Sequence, residues 1–251
     1  MKFDIEFDLN EAYKRNILVS GANNSGKTVL SCGISSLLQA FDFKVICFDN
    51  SGAWKKKSDI PNIFKVYPQS EFPKLVVDTS IIYDISLLLP SEQKFFVDQC
   101  LRTLWEWKIL HDTSDSWHYV VIEEAPLYCK YLRSSIAENI MRMASSGRNQ
   151  RVRMLFITPD LSLLDPSMIR LCGQRYYARL LEEENALRKF RAYHGKDWCE
   201  VTKHLDLGFF VYYNNGKLEV IHANEFKPKR KPQPLVIRQP SLRERIQKRL
   251  S

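Results

Sequence analysis

Residues 21 to 28 read Gly-Ala-Asn-Asn-Ser-Gly-Lys-Thr, and they stand between a short apolar run, Ile17 to Ser20, and a stretch with helical spacing of apolar residues, Thr28 to Ala40. This is the GxxxxGK[ST] pattern placed between a strand and a helix, the one context in which it carries meaning. A match by chance somewhere in a chain of this size has a probability of about 1%, given the usual abundance of glycine. Each residue type has a physical reason. Gly21 and Gly26 allow backbone conformations closed to other residues, so the N–H groups of Ala22, Asn23, Asn24 and Ser25 can turn inward. The helix that follows adds the partial positive charge of its N-terminus, so the segment forms a cradle for an anion. In that cradle Lys27 neutralises the β- and γ-phosphates of a nucleotide and the Thr28 hydroxyl coordinates Mg²⁺. A merely tight turn leaves a lysine at a strand-to-helix junction unexplained.

The same strand-then-helix logic extends along the chain. Val45 to Phe48, Ile81 to Ile85, Tyr119 to Ile122 and Met154 to Ile157 are short apolar runs, and Leu75 to Val77 is a still shorter one. Helical spacing appears from Ser91 to Leu110, with Phe95, Phe96, Leu101, Leu104, Trp105 and Ile109 as its apolar face, and again from about Ser134 to Ser146. Strands apolar on both faces that alternate with helices describe an α/β domain with a mostly parallel sheet. Polar residues follow the runs, where such sheets bind ligands. Phe209 to Tyr213 and Lys217 to His222, joined through Asn214, Asn215 and Gly216, are expected to form a hairpin.

Glu123 and Glu124 close the Tyr119 to Ile122 run. Two adjacent carboxylates repel each other, and a bound Mg²⁺ compensates them. Glu123 is then the acid that holds the metal and Glu124 the base that orients and deprotonates an attacking water; the competing reading is an exposed acidic turn. The interval between Lys27 and Glu123 is too long for one crossover, so at least one further strand, Val45 to Phe48 or a later one, lies between them. These features fit the additional-strand, catalytic-glutamate (RecA-like) type of P-loop NTPase. Asp49, after the second run, is open to two roles, near the nucleotide or as a turn cap.

Block after block, the segments SGANNSGKT, VICFDNSGAW, YVVIEEAP and SSGRNQRVRMLFITPDLSLLDPSMIRLCGQRYYARL resemble the HerA/FtsK superfamily of DNA-pumping ATPases, over roughly residues 14 to 225. The resemblance implies ATP and Mg²⁺ as cofactors, double-stranded DNA as substrate and a homo-oligomeric ring, usually a hexamer. It makes Lys27 and Thr28 ligands of nucleotide and metal, Glu123 the metal-organising acid and Glu124 the catalytic base. Arg148 falls where the family keeps an arginine that reaches a neighbour's nucleotide, with Arg151 and Arg179 as substitutes and a surface or capping role as the rival. Two positions depart from the family: Glu123 stands where Asp is usual, and Thr158, followed by Pro159 and Asp160, stands where a Gln senses the γ-phosphate. The near absence of sequence beyond a motor suits genome packaging in a virus, with a capsid or membrane protein at the packaging vertex as partner. Plasmid mobilisation, DNA resection and protein-directed assembly or secretion are the rivals.

Composition sharpens this picture. Of the 251 residues 45% are hydrophobic, enough for a sizeable core. The net charge of +8 resides in residues 227 to 251, with nine basic residues and one acid, while residues 1 to 226 balance 28 basic against 28 acidic. We therefore divide the chain into a motor domain, 1 to 226, and a basic, Pro-containing linker and short helical tail, 227 to 251, able to grip DNA, an acidic partner or a lipid surface, or simply to stay solvated. Six scattered cysteines without a CxxC pair read as reduced, mostly buried thiols of an intracellular, cytoplasmic protein, host-cytoplasmic or virion-associated if viral. No run approaches the length of a membrane span, so an integral membrane protein is not expected.

Overall fold

A computed structural model describes residues 8–68, 74–110, 116–129, 134–180 and 184–223. The expected tail helix and the division at residue 226 lie outside the described residues. The strands are β1 (Asn16–Ser20), β2 (Lys44–Asp49), β3 (Asn62–Lys65), β4 (Ile81–Asp84), β5 (His118–Ile122), β6 (Val152–Thr158), β7 (Cys172–Tyr177), β8 (Phe209–Asn214) and β9 (Lys217–His222). They form one sheet in the order β3-β4-β2-β5-β6-β1-β7-β8-β9. The first seven strands of the chain run parallel, and β8 is antiparallel to both β7 and β9.

The central strands are buried on both faces, so alternate residues feed two cores. Leu18, Val120, Met154 and Phe156 face one core, and Ile17, Val19, Val121 and Leu155 face the other. The second core is closed by α1 (Leu9–Lys14), α2 (Lys27–Ala40) and α3 (Trp54–Lys57), through Ala12, Leu30, Ile34, Leu38 and Trp54. Closing the first are α4 (Pro90–Leu110), α5 (Ala125–Cys129), α6 (Ser135–Ser146), α7 (Pro166–Arg170), α8 (Glu184–His194) and α9 (Lys196–Lys203). All six cysteines are free and buried.

Two expectations change. Leu75 to Val77 is not a strand: Leu75 and Val77 pack on the core, but their backbone bonds go to side chains, with Val76 N donating to Tyr83 Oη and Val77 O meeting His118 Nε2. The sheet instead ends in β3, whose residues are all exposed and so lack any buried apolar pattern. On α4 the buried side is Phe96, Val97, Leu101 and Leu104, whereas Phe95 and Ile109 are each 53% exposed. As expected, a further strand separates β1 from β5 in space; it is the later β6, which follows both in sequence. The hairpin forms as expected, with positive φ at both Asn215 and Gly216, the backbone that matches strand twist. Among the described residues no helix is long and apolar enough to cross a membrane.

Candidate nucleotide site

The carboxyl ends of the parallel strands converge at one edge of the sheet, and Ser20 of β1 pairs there with Thr158 of β6 and Tyr177 of β7. The glycine loop leaves β1 pinned on both sides, since Gly21 N donates to Thr158 O and Ala22 N donates to Arg179 O. It then turns through positive φ at Asn24 (62°) and Gly26 (96°) into α2. Ser25 N donates to Ala22 O, so the loop closes on itself. Gly21 has a steric reason as well: a Cβ there would lie 2.5 Å from Ala178 Cβ. Gly21→Ala is therefore expected to displace the loop or the end of β7, to cost roughly 1–3 kcal/mol of stability, and to weaken retention of a phosphate-bearing ligand. Thermal melts with and without such a ligand check this, and an unchanged ligand-induced shift would contradict it.

Within the cradle the hydroxyls of Ser20 and Ser25 are buried and have no hydrogen-bond partner among the described residues. Lys27 Nζ donates to Ala22 O at 2.6 Å. Burial pulls the Lys27 ammonium below its ordinary pKa, against the opposing pull of the Glu124 and Glu123 carboxylates. A cation, two carboxylates and unpaired hydroxyls around a helix N-terminus fit a phosphate chain carrying its own counter-ion.

Glu123 and Glu124, one residue apart, sit in different surroundings. Glu123 is 5% exposed, and its Oε2 accepts from Asn50 N, Ser51 N and Ser51 Oγ. Burial, and then the adjoining Asp49 carboxylate, hold its pKa well above the carboxylate range. Asp49 itself accepts from Ser51 N, Gly52 N and Trp54 N and from Ser51 Oγ. It is thus the cap of the turn after β2 and at the same time the charge beside Glu123. Asn50 continues the chain, donating through Nδ2 to Gln93 Oε1 and Tyr128 Oη. Sequence reasoning missed this Asn50–Ser51 brace, and its only trace was the polar turn after an apolar run.

Glu124 is exposed and adopts φ 52°, a left-handed conformation strained for a residue other than glycine. Partial desolvation of its carboxyl raises its pKa, which Lys27 counteracts. Strain of this kind persists where the surroundings impose it, and here it aims one carboxylate out of the strand end towards the loop lysine. Thr28 lies half-buried in the first turn of α2. Thr28 and Glu123 suit a hard divalent cation. No group of three or more His, Cys, Asp or Glu side chains fit to hold a metal occurs among the described residues, so further oxygens must come from ligand and water.

The remaining expected residues divide. Asn23 and Asn24 are exposed at the loop tip. The Thr158 hydroxyl is bound in its own turn, donating to Asp160 O and accepting from Asp160 N, which leaves it poorly placed as a sensor. Arg148 is exposed in the 3-10 turn Gly147–Gln150, before β6, at the amino edge of the sheet. Arg151, the left-handed cap of that turn, shares the same edge. Arg179 alone of the three stands at the carboxyl edge, its carbonyl bound to the loop and its side chain exposed.

No protein-family model matches the chain, and no curated protein matches it either. Solved structures do. The genome packaging NTPase B204 from Sulfolobus turreted icosahedral virus 2, in complex with AMPPCP, superposes with a TM-score of 0.63 at 18% identity over 84% of this chain and 97% of that one. VirB4 of Thermoanaerobacter pseudethanolicus gives 0.61 at 10% identity over 82% and 88%. The pCW3 conjugation coupling protein TcpA gives 0.52 at 14% over 87% and 62%. At these identities the likeness is one of fold, and the fold that the HerA/FtsK resemblance implies, a P-loop NTPase with a mostly parallel sheet, is the fold this chain has.

Proposed function

We propose that the chain is an ATP-hydrolysing translocase of duplex DNA that works as a ring of identical subunits, a hexamer, and pumps a viral genome into its capsid. The observation that supports this reading is the facing of Lys27 and the Glu123–Glu124 pair across one strand edge, with β6 inserted between the strands that carry them. Lys27 and the loop N–H groups hold the phosphate chain, while Thr28 and Glu123 hold Mg²⁺. When bound, the cation would supply positive charge to the phosphate oxygens. Glu124 accepts the proton of a water in line with the γ-phosphorus, and Lys27 takes up charge on the leaving oxygens. The genome packaging NTPase among the fold neighbours favours packaging, and the conjugation coupling protein makes plasmid mobilisation the alternative. In the packaging reading the protein works in the host cytoplasm against a capsid or membrane protein at one vertex.

ATP turnover measured with and without duplex DNA across a salt series, alongside particle mass with ATP, tests the proposal. Stimulation by DNA and a ring mass are expected; an unchanged rate at every salt concentration, or a monomer throughout, counts against it. The tail supplies a second expected outcome. Deleting residues 227–251 is expected to weaken DNA binding and to reduce the slope of log K against log[salt] by about 0.9 for each phosphate contact removed, with DNA-free hydrolysis unchanged. A collapse of hydrolysis would instead make the tail part of the motor.

A further inference from the structure

Glu123 accepts from the backbone N–H groups of Asn50 and Ser51 as well as from the Ser51 hydroxyl, so its carboxylate lies where the turn after β2 puts it. That turn is itself tied to two helices. Asn50 Nδ2 donates to Gln93 Oε1 at 2.8 Å, in the first turn of α4, and to Tyr128 Oη at 2.7 Å, on α5. Gln93 fixes the direction of these bonds, because its Nε2 donates to Ile85 O at 3.0 Å and to Leu88 O at 3.1 Å. Its Oε1 is left as the acceptor, which makes the Asn50 amide nitrogen the donor. Three segments of the carboxyl edge therefore meet at one side chain: the turn after β2, residues 85–89 between β4 and α4, and α5, which begins directly after Glu124. Gln93 and Tyr128 are both buried, so water does not readily replace a bond lost there.

Stability alone does not explain an amide at this junction. Asn50 Oδ1 is buried and has no hydrogen-bond partner among the described residues. A buried acceptor left without a donor destabilises the fold, and an apolar side chain would avoid that cost. What the amide adds is a directed link between the turn and the two helices.

We infer that Asn50, Gln93 and Tyr128 are positioning residues for Glu123, through which α4 and α5 set the turn whose N–H groups hold its carboxylate; the inference rests on the reading of Glu123 as the acid that holds Mg²⁺. None of the three side chains reaches Glu123 itself. Asn50 acts on it through its backbone N–H, which every substitution of the side chain except proline retains. A small shift of the turn matters because Mg²⁺ demands near-ideal octahedral geometry from its oxygens. Partners one step removed from a metal ligand are typically worth 10–100-fold in metal affinity or activity, roughly the scale to be expected here.

The test uses Asn50→Ala, Gln93→Met, their double variant and Tyr128→Phe, with Glu123→Gln and wild type as references. Mg²⁺ is titrated calorimetrically into protein saturated with ADP, ATP turnover is followed against Mg²⁺ concentration, and ATPγS affinity is measured in EDTA. Asn50→Ala and Gln93→Met are each expected to weaken Mg²⁺ by about tenfold or more, with turnover restored by excess Mg²⁺ and metal-free ATPγS affinity unchanged. The double variant is expected to be no weaker than Asn50→Ala alone, because both changes cut the same bond. A merely structural role would lower turnover equally at every Mg²⁺ concentration and leave the midpoint in place. Mg²⁺ affinity within about threefold of wild type in both single variants, less than such a partner is worth, overturns the inference. Additive losses in the double variant, or a loss of ATPγS affinity in EDTA, overturn it as well. If Glu123→Gln itself leaves Mg²⁺ affinity unchanged, the reading of Glu123 as the metal acid fails, and the inference with it. Tyr128→Phe keeps the test open should the other variants fail to fold, since it removes one hydroxyl and leaves the ring in the core. It is expected to weaken Mg²⁺ less than Asn50→Ala does, and no change in a set where it alone folds overturns the inference.

Discussion

Glu124→Gln is expected to lower ATP turnover by about 10²–10⁴-fold, the usual worth of a positioned general base, with ATP still bound. The substitution preserves shape and removes only the basic oxygen, so the turn at φ 52° and the helix α5 that begins there are retained. Glu124 is exposed at the strand end, so its charge supports no buried pair whose loss would unfold the domain. It is also the carboxylate whose attraction for Lys27 most offsets the effect of burial on that lysine. Neutralising it releases Lys27 to the phosphates, so affinity for ATP is expected to hold or rise while hydrolysis fails. Single-turnover hydrolysis combined with equilibrium binding separates the two quantities, and turnover within about threefold of wild type, a loss too small for a base, would move that role elsewhere. Glu123→Gln is the contrasting change. Glu123 is buried against Asp49 and braced by Asn50 and Ser51, so its replacement is expected to raise the Mg²⁺ concentration needed for turnover.

What could be read from the sequence was local. The run from Ile17 through Ala40 encodes the turn of the loop itself, although its anchors at Thr158 and Arg179 lie far along the chain, and α2 begins one residue before its expected start. The hairpin was legible for the same reason, because Asn215 and Gly216 encode its turn in two residues. Sheet order was not legible: β6 lies between β1 and β5 only because of how later helices cross the sheet, and no residue of β6 declares its neighbours. β3 was hidden by exposure, since an edge strand needs no apolar alternation when it covers nothing. At the site, Glu123 and Glu124 could be given different roles from the sequence, but the surroundings that set them apart could not be read, because Glu123 is braced by Asn50 and Ser51, some seventy residues earlier. The approach of Gly208 to Gly26 joins residues 182 positions apart and leaves no local pattern.

Within one subunit, geometry limits what each arginine can reach. β6 runs from Val152 to Thr158, seven residues at about 3.3 Å each, so the Arg148 turn lies roughly 20 Å from the strand ends that hold the phosphate loop. Arg148 therefore acts on a neighbour's nucleotide or on none. Arg153 is committed, being buried with Nε donating to Tyr13 O and its guanidinium over the Trp117 ring. Arg179, beside the loop, can act only within its own site or across an interface that the loop itself faces. An arginine supplied in trans stabilises the charge of phosphoryl transfer and is worth about 10³–10⁵ in rate, so Arg148→Ala is expected to lower turnover by that order with nucleotide affinity unchanged. Arg148→Ala and Glu124→Gln are then each inactive for different reasons. Mixed in equal amounts, they place an intact Glu124 opposite an intact Arg148 at about one quarter of the interfaces of a heterologous ring. Turnover is expected to reappear on mixing, in proportion to those interfaces. If mixing restores nothing, while Arg179→Ala silences only the subunits that carry it, the arginine acts in cis and the ring does not share its sites through Arg148.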